Sequence, residues 1–172
     1  MAHRILLTGG GGFIGHHLLD ALRASAPKAE IVRVTSRQDL PKNNAARLIG
    51  ADLAEADDCR RVVEVAAADV VIHLAGAASV GGTKGAERSV WRTNFHATWL
   101  LAQAVTDAGR PVRFIFASSA EVYGRSFNDV AIATEDTRPA PMNTYGRTKF
   151  AAEMMLQDVL GSSHDLILLR LF

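Results

Sequence analysis

The feature that constrains this chain most is a glycine run set between a strand and a helix. The apolar stretch Arg4-Thr8 runs directly into Gly9-Gly10-Gly11-Gly12-Phe13-Ile14-Gly15, and a helical pattern starts at Phe13, with Ile14, Leu18, Leu19 and Leu22 at helical spacing. Gly9, Gly12 and Gly15 stand at T-G-x-x-G-x-x-G spacing behind Thr8. Each has a physical task in that context. Gly9 permits the tight turn out of the strand, Gly12 lets the backbone approach a pyrophosphate, and Gly15 lets the helix pack closely on the sheet. The free N–H groups at Phe13-Ile14 and the positive end of the helix dipole then face the anion. A glycine run is elsewhere no more than a flexible turn; here the strand before it and the helix after it favour a dinucleotide site. A phosphate loop of the NTPase kind is excluded, because no Gly-Lys-Ser/Thr closes the run and Gly81-Gly82-Thr83-Lys84-Gly85 has the wrong order.

The rest of the chain repeats the alternation. Strands are expected at Arg4-Thr8, Ile31-Thr35, Arg47-Ala51, Val70-Leu74, Val112-Ala117 and Leu166-Arg170, most of them near-continuous apolar runs. Such runs suit parallel strands covered on both faces. Helices are expected at Phe13-Ser25, Glu55-Ala68, Glu87-Ala108 and Tyr145-Leu160. Parallel neighbours need a crossover, so the pattern predicts a Rossmann-type doubly wound α/β fold, a three-layer α/β/α arrangement with strand order 3-2-1-4-5-6. At 172 residues the chain reads as one NAD(P)-binding domain, 1-172. Ala75-Ala86 and Arg125-Thr144 read as loops, the second long enough to point to a functional role.

Composition narrows the partners. The chain is 48% hydrophobic, which excludes disorder, and 19 Lys+Arg against 18 Asp+Glu leave a net charge of +1, too little to make nucleic acid a main partner. The single cysteine, Cys59, excludes a disulfide framework or a multi-cysteine zinc site and is expected half-buried on a helix. The histidines have no metal-ligand partners at useful spacing, so no metal is expected. No apolar run reaches the ~20 residues that span a bilayer, and no signal-peptide core is present, so a soluble cytoplasmic protein without a membrane partner is expected.

The second strand bears on which dinucleotide fits. NAD sites usually place an acid ~20 residues beyond the glycine loop, where it bonds the ribose hydroxyls. Here the strand ends in Thr35-Ser36-Arg37 and no carboxylate occupies the tip. Ser36 and Arg37 suit a 2′-phosphate, the arginine through a charge-assisted fork, so NADP is favoured over NAD. Asp52, followed by Leu53, ends the third strand beside the same crevice. It is placed to accept from the adenine amino group, to cap the helix at Glu55, or both.

Tyr145 and Lys149 stand at i, i+4, on one face of a helix. A nearby ammonium stabilises phenolate, so the Tyr145 pKa is expected to fall toward neutrality, which suits a phenol exchanging a proton with a hydroxyl while a hydride moves. The strand Phe114-Ala117 delivers Ser118 and Ser119 at its C-terminal end, where open α/β sheets bind ligands.

These segments together resemble the extended short-chain dehydrogenase/reductases, specifically the NAD-dependent epimerase/dehydratase group acting on nucleotide sugars. The resemblance covers the whole chain and rests on Thr8 to Gly15, Asp52-Leu53, His73-Leu74-Ala75-Gly76, Thr93-Asn94, Ser118 to Gly124 and Tyr145 to Lys149. It implies Ser119 as hydrogen-bond partner of the reacting hydroxyl or carbonyl, Tyr145 as general acid/base, and Lys149 as its electrostatic partner and ribose anchor. Leu74, Ala75 and Gly76 would line the adenosine and pyrophosphate side, with Asn94 a structural polar residue near the cofactor. Glu121 sits where some sugar dehydratases and decarboxylases carry a base, or else is a surface residue at a strand-loop junction. Ala120 stands where two-acid dehydratases carry their second acid, which weakens that reading.

The resemblance also implies a nucleotide-sugar substrate and a homodimer through helices 87-108 and 145-160. Members of the group continue past the sixth strand into a region of comparable size that forms most of the sugar pocket. The stop at Leu171-Phe172 therefore implies a truncated chain or fragment with that side of the crevice open. The expected parent function is an NAD(P)-dependent epimerase, reductase or dehydratase of a nucleotide sugar. The rivals are an NADP-dependent dehydrogenase of a free sugar or sugar acid and a non-catalytic NADP-binding regulatory module.

Overall fold

The computed structural model describes residues 3–36, 47–77, 85–128, 130 and 132–172. Six parallel strands form one sheet: β1 (Arg4–Thr8), β2 (Glu30–Thr35), β3 (Arg47–Gly50), β4 (Val70–His73), β5 (Arg113–Ser119) and β6 (Asp165–Leu171). Their order is β3-β2-β1-β4-β5-β6, as the alternation predicts. The direction of winding reverses between β1 and β4, and the crevice outside their C-terminal ends is where such sheets take ligands.

The described helices are α1 (Phe13–Ser25), α2 (Ala56–Ala66), α3 (Ala86–Trp91), α4 (Ala97–Asp107) and α5 (Thr144–Leu160). Val32, Val34, Val71, Phe114 and Phe116 pack against α2, α4 and α5 on one face of the sheet. Ile5, Leu7, Ile31 and Ile72 pack against Leu19 of α1 on the other. Burial on both faces explains why the strands read as continuous apolar runs rather than alternating ones.

Three details differ from the sequence reading. The long helix expected at 87–108 is broken by a π-helical turn, Arg92–His96, which separates α3 from α4. Cys59 is fully buried, not half-buried, and its thiol donates to the Leu53 carbonyl; burial pushes the thiol up to about 12. Asp52 does not cap α2, whose N-cap is Glu55. Its Oδ1 instead accepts from the Ala54 N–H at 2.9 Å, while its own N–H donates to Asp58 Oδ2 at 2.7 Å. Asp52 lies three residues before that N-cap, and its Oδ1 is taken up by Ala54 instead.

Candidate active site

The glycine loop is held by contacts that only glycine permits. Gly9 has φ +68°, and a Cβ there would lie 2.5 Å from the Ala75 nitrogen. A Cβ on Gly15 would lie 2.4 Å from the Gly9 carbonyl oxygen, so α1 seats directly on the turn. Gly12 would meet nothing closer than 3.4 Å and leaves the loop's outer side open to a ligand. Thr8 Oγ1 accepts from the Ala75 N–H at 3.2 Å and meets His73 Nδ1 at 2.6 Å, tying the ends of β1 and β4 together. The other ring nitrogen of His73 meets Thr98 Oγ1 at 2.9 Å. Burial, with a smaller push from Lys149, holds His73 down to about 3, so it is a neutral bracket.

A cleft of 590 Å³ opens above this bracket. Gly9, Gly12, Ser36, Asp52, Leu53, Leu74, Ala75 and Gly76 line it, all of them read as cofactor residues from the sequence. Phe13 and Ile14 are not among the residues that line it, and their side chains stand out in solvent. Asn94 is fully buried and spends its amide on the protein: Oδ1 accepts from the Ala77 N–H at 2.7 Å, and Nδ2 donates to the Ala77 carbonyl and to Thr148 Oγ1, both at 3.1 Å. It fixes the loop after β4 against α5. Arg37 lies outside the described residues.

Arg92 is a cleft residue that the sequence reading missed. Its guanidinium spans Asp52 Oδ2 at 3.1 Å and Glu55 Oε1 at 2.9 Å. The Ala54 hydrogen bond, with help from Arg92, holds the Asp52 carboxyl below its usual range. Arg92 comes 40 residues after Asp52, so only the fold discloses the pair.

Ser119, Glu121, Tyr145 and Lys149 gather beside the cleft at the end of β5 and the start of α5. Ser119 Oγ accepts from the Glu121 N–H at 3.2 Å, and its hydroxyl helps to pull the Tyr145 pKa down. Asn143 caps α5, its Oδ1 accepting from the Gly146 N–H at 2.8 Å. Tyr145 thus stands in the first turn of a capped helix. Lys149, one turn on, is buried; Nζ donates to the Ala117 carbonyl at 2.8 Å and lies 4.7 Å from the Phe116 ring centre. Burial pushes Lys149 down to about 8, with Glu153 opposing.

The expected fall of the Tyr145 pKa is not what this arrangement produces. Burial holds the phenol above its ordinary value, the Ser119 hydroxyl pulls down against it, and the Glu121 charge adds to the rise. The Lys149 ammonium is 6.0 Å from the Tyr145 ring centre and turned to Ala117, so it does not offset burial.

Deeper in the same helix, Glu153 is buried between Arg170 of β6 and Ser118 of β5. Arg170 Nε and Nη2 donate to its two oxygens at 3.1 and 2.8 Å, and Ser118 Oγ donates to Oε1. The guanidinium also lies over the Tyr123 ring at 4.8 Å.

A sequence model of the NAD dependent epimerase/dehydratase family matches residues 5–172. The chain belongs to this family. It is 34% identical over 174 residues to the UDP-glucose 4-epimerase of Azospirillum brasilense, which covers 98% of this chain and 48% of that protein. The enzyme WbmG of Bordetella bronchiseptica, solved with NAD and UDP, superposes with TM-score 0.82 and 25% identity over 99% of this chain and 53% of its own. The UDP-glucose 4-epimerase of Thermotoga maritima, solved with UDP-glucose, gives TM-score 0.82 and 26% identity over 96% of this chain and 54% of its own. The chain thus spans about half the length of the relatives it matches. The glycine cradle and the open cleft suit the dinucleotide that the family name implies. Among the described residues, no helix is long and apolar enough to cross a membrane.

Proposed function

We propose that this chain is the nucleotide-binding half of an NADP(H)-preferring enzyme that acts on a nucleoside-diphosphate sugar. The observation that supports this reading is the glycine cradle with Lys149 behind its Gly76 wall, where a Cβ on Gly76 would lie 3.2 Å from Lys149 Nζ. A nicotinamide dinucleotide, when bound, supplies a centre that accepts and returns a hydride. Gly9, Gly12 and the α1 N-terminus would hold its pyrophosphate; Leu53, Leu74, Ala75 and Gly76 would line the adenosine side, with Asp52 toward the adenine amino group.

The chain's own groups handle the proton. Ser119 Oγ would orient the sugar hydroxyl or carbonyl, and the Tyr145 phenol would take or give that group's proton. Lys149 would hold the nicotinamide ribose. Glu121 would face the sugar beside Tyr145 as a second acid/base group. The relatives' names and ligands point to a uridine nucleotide. A homodimer through residues 87–108 and 145–160 would cover Trp91 and Met154, which stand exposed.

NADP is favoured over the NAD found with WbmG because the β2 tip carries Thr35 and Ser36 rather than a carboxylate. Titrating the chain with NADPH and NADH by nicotinamide fluorescence tests this. Tighter NADPH binding supports the reading; preference for NADH overturns the 2′-phosphate part; binding of neither by folded protein overturns the cofactor site.

A further inference from the structure

Among the described residues, Arg33 is a buried cation with no carboxylate beside it. Arg33, on β2, is 9% exposed. Arg170, by contrast, is paired to Glu153. Among the described residues Arg33 has no acidic partner. Its Nη2 donates to the Gly10 carbonyl at a long 3.3 Å, and its Nε is buried with no acceptor among the described residues. A guanidinium taken out of water is costly unless an anion meets it.

Position decides which anion. Alternation along β2 sends Val32 and Val34 into the core with α2 and α4, so Arg33 and Thr35 share the opposite face, that of the glycine loop. Arg33 reaches that loop: a Cβ on Gly10 would lie 3.2 Å from its Nε. The adenosine ribose of a dinucleotide sits between the glycine loop and the tip of the second strand, where an acid takes the 2′-hydroxyl or an arginine the 2′-phosphate. Here that corner holds Thr35 and Ser36, with a buried, unmatched guanidinium beneath them.

We propose that Arg33 is a specificity-determining residue for the cofactor, releasing its weak bond to Gly10 to pair with a phosphate on the adenosine 2′-oxygen. This rests on the dinucleotide reading of the cleft. The planar fork offers two parallel donors to phosphate oxygens, so charge alone does not replace it. The pyrophosphate is served by backbone N–H groups on the far side of the loop, so Arg33 acts on the 2′-phosphate only.

The test measures Kd for adenosine 2′,5′-bisphosphate and 5′-AMP, and for NADPH and NADH, with wild type, Arg33→Met and Arg33→Lys. Wild type is expected to bind the 2′-phosphorylated member of each pair at least about tenfold more tightly. Arg33→Met should bring that ratio near one with 5′-AMP and NADH affinity unchanged, and Arg33→Lys should fall between. If Arg33→Met does not fold, a loss of about threefold or more for the bisphosphate alone in Arg33→Lys decides the matter. A ratio unchanged by substitution overturns the role of Arg33 and leaves the NADP reading standing. Equal loss for both members of a pair also overturns it, as the mark of a merely structural arginine. A wild type that prefers 5′-AMP and NADH, or binds none of the four, overturns the inference together with the reading beneath it.

Discussion

Asn143 hands Glu121 to the helix that carries Tyr145. The Asn143 Oδ1 caps α5 through the Gly146 N–H, and its Nδ2 donates to Glu121 Oε2 at 2.8 Å. One amide therefore links the acid after β5 to the first turn of α5. Gly146 completes the contact, since a Cβ there would lie 2.5 Å from the Glu121 carbonyl oxygen. Glu121→Gln keeps an acceptor for Asn143 and removes the charge; Glu121→Ala removes both. Both variants should lower the Tyr145 pKa, because the Glu121 charge helps to hold it up. Phenolate absorbance in a Tyr123→Phe background, which leaves Tyr145 as the only tyrosine, measures it. Asn143→Ala should cost about 1 kcal/mol of stability, the ordinary worth of an N-cap, while Glu121→Gln should cost a few tenths at most. An unmoved phenol in Glu121→Gln would show that the acid does not act on Tyr145.

Gly76 is squeezed between two site residues. A Cβ there would lie 3.1 Å from Asn94 Oδ1 and 3.2 Å from Lys149 Nζ. Gly76→Ala should therefore push on the Asn94 bracket and the ammonium together, costing about 1–2 kcal/mol and weakening dinucleotide binding. Gly50 is the control, with nothing within 4 Å of its Cβ position. Gly50→Ala should be neutral or slightly stabilising, since it mainly restricts the unfolded chain. Urea unfolding with matched nicotinamide titrations separates the two.

What the sequence discloses and what it hides divide along a physical line. The strand order and the tasks of Gly9 and Gly15 are legible because each follows from local geometry: a positive φ, a close approach, a period of apolar residues. The placing of Ser119 at the end of β5 is legible because an apolar strand run ends there. The Arg92 bridge to Asp52, the unmatched Arg33 and the Asn143 link to Glu121 are not, because each joins residues 22 to 40 positions apart in sequence. The direction of the Tyr145 shift is hidden for another reason. Burial sets it, and the spacing of Tyr145 and Lys149 carries no information on burial.

The Glu153–Arg170 pair should behave as a unit. Removing one partner leaves the other buried without its charge, so Glu153→Gln and Arg170→Met should each cost about 3–5 kcal/mol. The double variant Glu153→Leu with Arg170→Met should cost far less than the sum, because both desolvation penalties go together. Glu153 also holds the Lys149 pKa up, so Glu153→Gln should lower that pKa further. Additive losses in denaturant unfolding would mean that Ser118 and Tyr123, not the ion pair, hold this junction.

Lys149 sets a pH window. Its value falls from the ordinary 10.5 of a lysine to about 8 in the fold, chiefly through burial. Between those values the unfolded chain binds a proton that the folded chain lacks, so stability rises with pH across the window. Below about 8 the fold carries the full cost of a buried ammonium, on the order of 3 kcal/mol at most. Lys149→Met keeps the length of the side chain and removes that cost, at the loss of one hydrogen bond to Ala117. The variant should therefore be more stable than wild type at pH 7, and the gap should close as pH climbs from about 8 toward 10.5. Nicotinamide binding should weaken in the same variant, since the ammonium is the proposed ribose anchor, so stability and binding move in opposite directions. Urea unfolding across that pH range is the measurement. A variant less stable at pH 7, with no closing gap above 8, would mean that the Ala117 bond outweighs the burial of the charge.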